Sequence, residues 1–179
     1  ERDELFQKAS ASRLGFVVRE EEVYYLSDPG RTWSIPLLEM LEEAGFAFDL
    51  LLKVHDRDSA RKAATHVHEA LGDPGRHKIV GFNSLDMLLA RLEASACQSV
   101  FSHHVFDWRL TQSGKTRFTL QHFEMGIAGY LRTLRRVTGL CETPFYQRYS
   151  RFLKRSPEGL RISAAGSSGP AVHDEQVSS

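Results

Sequence analysis

The chain has 179 residues, 41% of them hydrophobic, with 23 basic and 23 acidic side chains. That length suits one domain with a sizeable core, and a formal net charge of zero offers no broad basic field for nucleic acid. No apolar run approaches the roughly 20 residues a membrane helix needs, and two cysteines, Cys97 and Cys141, exclude a disulfide framework and suit a reducing cytoplasm.

The opening Glu1-Arg2-Asp3-Glu4 has neither an initiator methionine nor the apolar core of a signal peptide, so the expectation is a piece of a longer polypeptide with residues 1–13 as a lead-in. Leu14 to Val18 and Val23-Tyr24-Tyr25-Leu26 read as two strands separated by charged residues. The turn Asp28-Pro29-Gly30 leads to a helix around Ile35 to Ala44, with Ser34 as N-cap and Gly45 as stop. Phe46 to Val54 reads as a strand covered on both faces. Ala60, Ala63, Ala64, Val67 and Leu71 stripe a helix over Asp58 to Leu71. Lys78 to Phe82 is the next strand, followed by a helix buried along Leu85, Leu88, Leu89 and Leu92 and a strand from Gln98 to Phe101. Ser102 to Gln121 reads as a polar loop. A long helix then buries Phe123, Ile127, Tyr130, Leu131, Leu134 and Val137, and a short one follows over Pro144 to Leu153. From Ser156 the chain loses periodicity and reads as a mobile tail.

Strands alternating with amphipathic helices predict a three-layer α/β, Rossmann-like domain over residues 14–155, with a mainly parallel sheet and a tail at 156–179. Right-handed crossovers gather the strand-to-helix loops on one sheet edge, where ligands of such folds bind. On that edge the sequence places Thr32, Trp33, Ser84, His103, His104 and Asp107. His103 and His104 are adjacent, so on extended backbone only one can face a given site. One of them reads as a metal ligand oriented by Asp107, or both read as surface or interface histidines. Gly126 and Gly129 weaken their helix and imply close backbone approach by a neighbouring helix or by a ligand. His66 and His68, two apart on a helix, read as a solvated face rather than a metal pair. Asp28 to Ser34 has one glycine and neither phosphate-loop pattern, so no dinucleotide assignment follows from it.

Three segments together resemble the carboxy-terminal domain of nitrogenase component 1 type oxidoreductases. They are Val23 to Gly30 with the following helix ending Leu41-Glu42-Glu43-Ala44-Gly45-Phe46, then Ile79-Val80-Gly81-Phe82-Asn83-Ser84, and Val100 to Gly129 with its Met125-Gly126-Ile127-Ala128-Gly129 phrase. The resemblance spans roughly Leu14 to Leu153. It implies a subunit, or a cofactor-assembly scaffold relative, that lines a pocket for an iron–sulfur cluster or related metallocluster. It further implies His103 or His104 as cluster ligand, Thr32, Trp33, Ser84, Asp107 and Gly126 as cofactor contacts, a homologous sister subunit, and an ATP-hydrolysing iron–sulfur partner that delivers electrons. The expected assembly is cytoplasmic, binds neither nucleic acid nor membrane, and leaves this domain inactive alone. The family's cluster-binding cysteines lie mainly in earlier domains. A second reading is a metal-free Rossmann-like module for a nucleotide-sugar or other small anion, as in a glycosyltransferase, with the Asp28-Pro29-Gly30 and Phe82-Asn83-Ser84 turns as anion contacts. A third is a purely structural subunit.

Overall fold

A computed structural model describes residues 2–28, 30, 35–102, 110 and 113–143. Among these, β1 (Arg13–Arg19), β2 (Ala47–Lys53), β3 (Lys78–Phe82), β4 (Ser99–Phe101) and β5 (Thr116–Phe118) form one wholly parallel sheet in the order β3-β2-β1-β4-β5. The helices are α1 (Arg2–Ser10), α2 (Glu20–Ser27), α3 (Leu37–Glu43), α4 (Arg57–Ala70), α5 (Leu85–Ala94) and α6 (Gly126–Glu142). β1 is central, pairing in register with β2 from Arg13 opposite Ala47 to Arg19 opposite Lys53, and with β4 from Leu14 opposite Ser99.

Side chains alternate across each strand, so the sheet buries two different sets. Leu14, Phe16, Val18, Phe48, Leu50 and Leu52 join Leu5, Leu38, Leu41, Val67, Leu134 and Val137 in the larger core, packed against α1, α3, α4 and α6. Phe16 sits at its middle, with the rings of Phe48, Phe101 and Phe118 centred 5.5 to 5.8 Å away. Opposite lies a smaller core of Leu51, Phe82, Leu88, Leu92, Cys97, Val100 and Leu110, covered by α5. The expected three-layer Rossmann-like α/β fold is therefore present. Gly15 allows the second layer to close down, because a Cβ there would lie 2.9 Å from Cys97 Sγ and 3.0 Å from Val100 Cγ2.

The amino-terminal edge of the sheet is tied by polar groups. Arg13 donates to the carbonyls of Phe48 and Arg76 and pairs with Asp49, whose other oxygen accepts from Ser95 Oγ at 2.6 Å. Buried Lys115 donates to the carbonyls of Ser95 and Cys97 at 2.7 and 2.8 Å. His77 stacks on Phe48 with ring centroids 4.5 Å apart. Its Nδ1 accepts from the Phe48 amide, which leaves the proton on Nε2 to be donated to Glu42.

Several elements differ from the sequence reading. Val23 to Leu26 is helix, not strand: Glu20, Glu21 and Glu22 fill the first turn of α2, where carboxylates suit the positive dipole end, and Val23 and Leu26 bury at i, i+3 spacing. The first segment of the resemblance thus lacks the strand it implies, and Asp28 to Trp33 follows a helix rather than a strand. Arg2 to Ser10 is a helix whose Leu5 and Ala9 enter the larger core, so the stretch read as a lead-in packs with the domain. The loop read over Ser102 to Gln121 contains β5 and a short 3-10 turn at Leu120–His122. Of the expected stripe, Phe123, Leu134 and Val137 are buried as read, but Ile127 is 87% exposed, and α6 also buries Gly129, Thr133 and Thr138. The helix read over Pro144 to Leu153 and the tail at 156–179 lie outside the described residues.

Candidate functional site at the carboxyl edge of the sheet

The chain runs outward from β1 to β2 and β3, then returns across the sheet through α5 to β4. The strand order therefore reverses between β1 and β4. Side-chain and backbone cover divides at such a point and leaves a crevice beyond the carboxyl ends of the strands. A cavity of about 340 Å³ lies at this edge, lined by Val17, Val18 and Arg19 of β1, Glu22, Lys53 at the end of β2, Phe82 to Leu85, Leu88, and Ser102. That size falls in the range of small-molecule pockets.

Each polar group arrives there for a local reason. Lys53 is the last residue of β2 and pairs in register with Arg19 on one side and Phe82 on the other. Ser84 is the N-cap of α5, accepting from the Met87 amide at 3.3 Å, and so brings the amide-rich start of that helix to the crevice. Ser102 is 2% exposed and follows β4 directly, its amide donating to the Phe118 carbonyl at 3.2 Å. Val17, Phe82 and Leu88 belong to the smaller core and supply the apolar wall.

Charge is distributed unevenly. Arg19 pairs with Glu21 at 2.8 Å and with Glu22 at 3.1 Å, and Glu22 also accepts from the Arg19 amide. The hydrogen bond that Arg19 Nε donates to Glu22 raises the Arg19 pKa, and the negative charges of Glu22 and Glu21 add to the effect. Glu20 turns the other way, accepting from the amide of His55 at 2.9 Å and fastening the turn after β2. The start of α2 is thus occupied by the chain's own carboxylates, where phosphate-binding α/β proteins put glycine. Lys53 makes no ion pair or side-chain hydrogen bond among the described residues.

Of the site residues read from the sequence, Ser84 lines this crevice. Gly126 lines a separate, shallow pocket with Ile35, Pro36, Met40, Glu124, Met125 and Tyr130. Its φ of +77° accounts for glycine there, whereas a Cβ on Gly129 would lie 2.7 Å from the Glu124 backbone. Close approach at Gly129 therefore comes from the chain itself. Thr32, Trp33, His103, His104 and Asp107 lie outside the described residues. Among the described residues no group of three His, Cys, Asp or Glu side chains could hold a metal ion. The described lining of the crevice offers no thiolate or imidazole ligand, the donors an iron–sulfur cluster takes.

The sequence reading passed over Lys53. The available signal was its position, a cation directly after the apolar Leu50-Leu51-Leu52 at the carboxyl end of the strand. It also passed over the contact between Ser27 Oγ and His66 Nε2 at 2.7 Å, with the Tyr24 ring 4.7 Å from the imidazole. That contact ties α2 to α4, while His68 is exposed as read. No helix among the described residues is long and apolar enough to cross a membrane. No protein-family model matches the chain, and no curated protein is significantly similar to it.

Proposed function

We propose that this chain is the carboxy-terminal Rossmann-like domain of a nitrogenase-like reductase subunit, or of a scaffold relative that assembles its cofactor. One observation carries the reading. Asn83 and Ser84, from the second resembling segment, and Ser102, from the third, line a single cavity at the reversal of strand order. Two stretches that the sequence separates by a helix and a strand thus meet where this class of fold places ligands. In that role the domain walls one side of a metallocluster or substrate pocket, packs against a homologous sister subunit, and works with electrons from an ATP-hydrolysing iron–sulfur protein. A bound cluster would supply the redox chemistry. Ligation falls to His103 or His104, while Val17, Phe82 and Leu88 keep water from one wall and Ser84 and Ser102 present polar groups. Alone, the domain has no activity.

The test is anaerobic purification of the parent protein, with iron, acid-labile sulfide and co-purifying chains measured together. Stoichiometric iron with a sister chain of similar size is expected, and a metal-free protein without a partner would overturn the reading. Replacing both His103 and His104 by alanine should remove iron while leaving the circular dichroism of the domain intact. Unchanged iron in that variant would reject the ligand role.

The second reading, a metal-free module for a nucleotide-sugar or other small anion, is favoured by Lys53, a cation on the crevice with no partner among the described residues. A colourless protein that binds such a ligand would support it over the first.

A further inference from the structure

We propose that Lys53 anchors the single oxyanion of a compact organic ligand, a terminal phosphate or carboxylate, whose apolar body lies against Val17, Phe82 and Leu88. Three independent observations lead there. The cavity at the carboxyl edge combines this apolar wall with polar groups from four strand ends, which gives a ligand both a buried body and an oriented head. Among the described residues its charged lining consists of two cations, Arg19 and Lys53, and one anion, Glu22, an excess of one positive charge. The Arg19 guanidinium is already engaged by Glu21 and Glu22, so the excess resides on half-buried Lys53. A partly desolvated ammonium gains more from an anion than a fully hydrated one does.

The same geometry limits the charge of the ligand. Glu21 and Glu22 stand at the turn after β1, paired with Arg19, with Glu22 itself lining the cavity. A pyrophosphate laid along that turn, as a dinucleotide would require, meets carboxylates instead of free amides. The crevice therefore selects one oxyanion beside Lys53 and rejects a second beside α2. Asn83, exposed at the rim, and the Ser84 cap lie on the Lys53 side, since Lys53 and Phe82 are register partners.

The inference rests on the crevice being a ligand pocket, as both readings above hold, and not on the presence of a cluster. Iron content and anion binding can accordingly fail separately. The test is calorimetric titration of the full chain with phenyl phosphate, phenylacetate, uncharged benzyl alcohol and NAD. At least one of the first two should bind tenfold or more tightly than benzyl alcohol, and which one does so identifies the oxyanion as phosphate or carboxylate. Lys53→Met should abolish that advantage, a loss of roughly tenfold or more for a charge-assisted bond, and Lys53→Arg should keep most of it. Equal binding of charged and uncharged probes, or an unchanged preference in Lys53→Met, would overturn the proposal. NAD binding as tightly as the better anion would overturn the single-oxyanion limit. Methyl resonances of Val17 and Leu88 give a readout on the unmodified chain: they should shift on adding the better anion, and shifts confined elsewhere would equally refute the site.

Discussion

Glu42 and Glu39 stand one helical turn apart on α3 and respond to folding in opposite directions. Burial pushes the Glu42 carboxyl up, but the amides of Asp73 and Gly72 and the ring N–H of His77 outweigh it and hold the pKa below its ordinary 4.5. A carboxyl depressed on folding stabilises the protein above its unfolded pKa, and that stability is lost as pH falls through the folded value. Glu42→Gln should therefore cost about 1 to 3 kcal/mol at neutral pH and flatten the acid side of a stability profile measured by urea unfolding. Glu39 behaves otherwise: burial raises its pKa above 4.5, and its Oε2 is buried without a hydrogen-bond partner. A carboxyl raised on folding destabilises as pH rises past its unfolded value, when it must ionise in place. Glu39→Met should leave the protein as stable or more stable at pH 7. The gain should vanish in acid, where the native carboxyl is already protonated, and a loss at pH 7 would contradict the assignment.

At the scale of elements, the legible parts of the fold were those with one dominant signal. The Phe46 to Val54 run is apolar enough to be a doubly covered strand, and Gly45 with φ of +104° ends α3 where a left-handed residue belongs. Lys78 to Phe82 and the leucine stripe of α5 were equally plain, although Leu85 at the start of that stripe is 56% exposed. Val23-Tyr24-Tyr25-Leu26 misled because β-branched and aromatic residues favour strands locally, while the tertiary requirement for a crossover after β1 makes them a helix. Three-residue β5 was missed because it is too short to show alternation. Ser84 was legible from its place in a strand-to-helix loop, where such folds gather their ligand-facing residues. Lys53 was not, because the need for a cation there depends on Arg19 being spent on Glu21 and Glu22, which only geometry reveals. The start of α6 tests this level of explanation. Gly129→Ala would press a methyl against the Glu124 backbone at 2.7 Å, and should cost about 1 to 3 kcal/mol in urea unfolding. Gly139→Ala, with nothing within 4 Å of the added Cβ, should be neutral or stabilise by about 1 kcal/mol.

Across the whole molecule, the two edges of the sheet do different work. The amino-terminal edge is closed by Arg13, Asp49, Ser95 and Lys115, which bridge β1, β2 and the approaches to β4 and β5. Lys115 spans two carbonyls from a buried position, so Lys115→Met leaves both without their donor and should cost about 2 to 5 kcal/mol. Its thermal midpoint should fall, while the anion preference at the opposite edge, measured below that midpoint, should stay unchanged. A loss of both together would show that the edges are coupled through the strands. At the carboxyl edge, by contrast, Lys53 has no partner among the described residues and a cavity stands open, as a ligand pocket on a tied scaffold requires.

Gly15 has a practical consequence for reagents. By letting Cys97 settle against β1, it puts that thiol in the smaller core at 1% exposure, where burial raises its pKa, and burial pushes Cys141 up to about 12. Thiolate, not thiol, attacks an alkylating dye, so both native sulfurs are slow targets at neutral pH. A cysteine introduced at exposed Ser84 would be the fast one, and a fluorophore attached there would report directly on whatever enters beside Lys53.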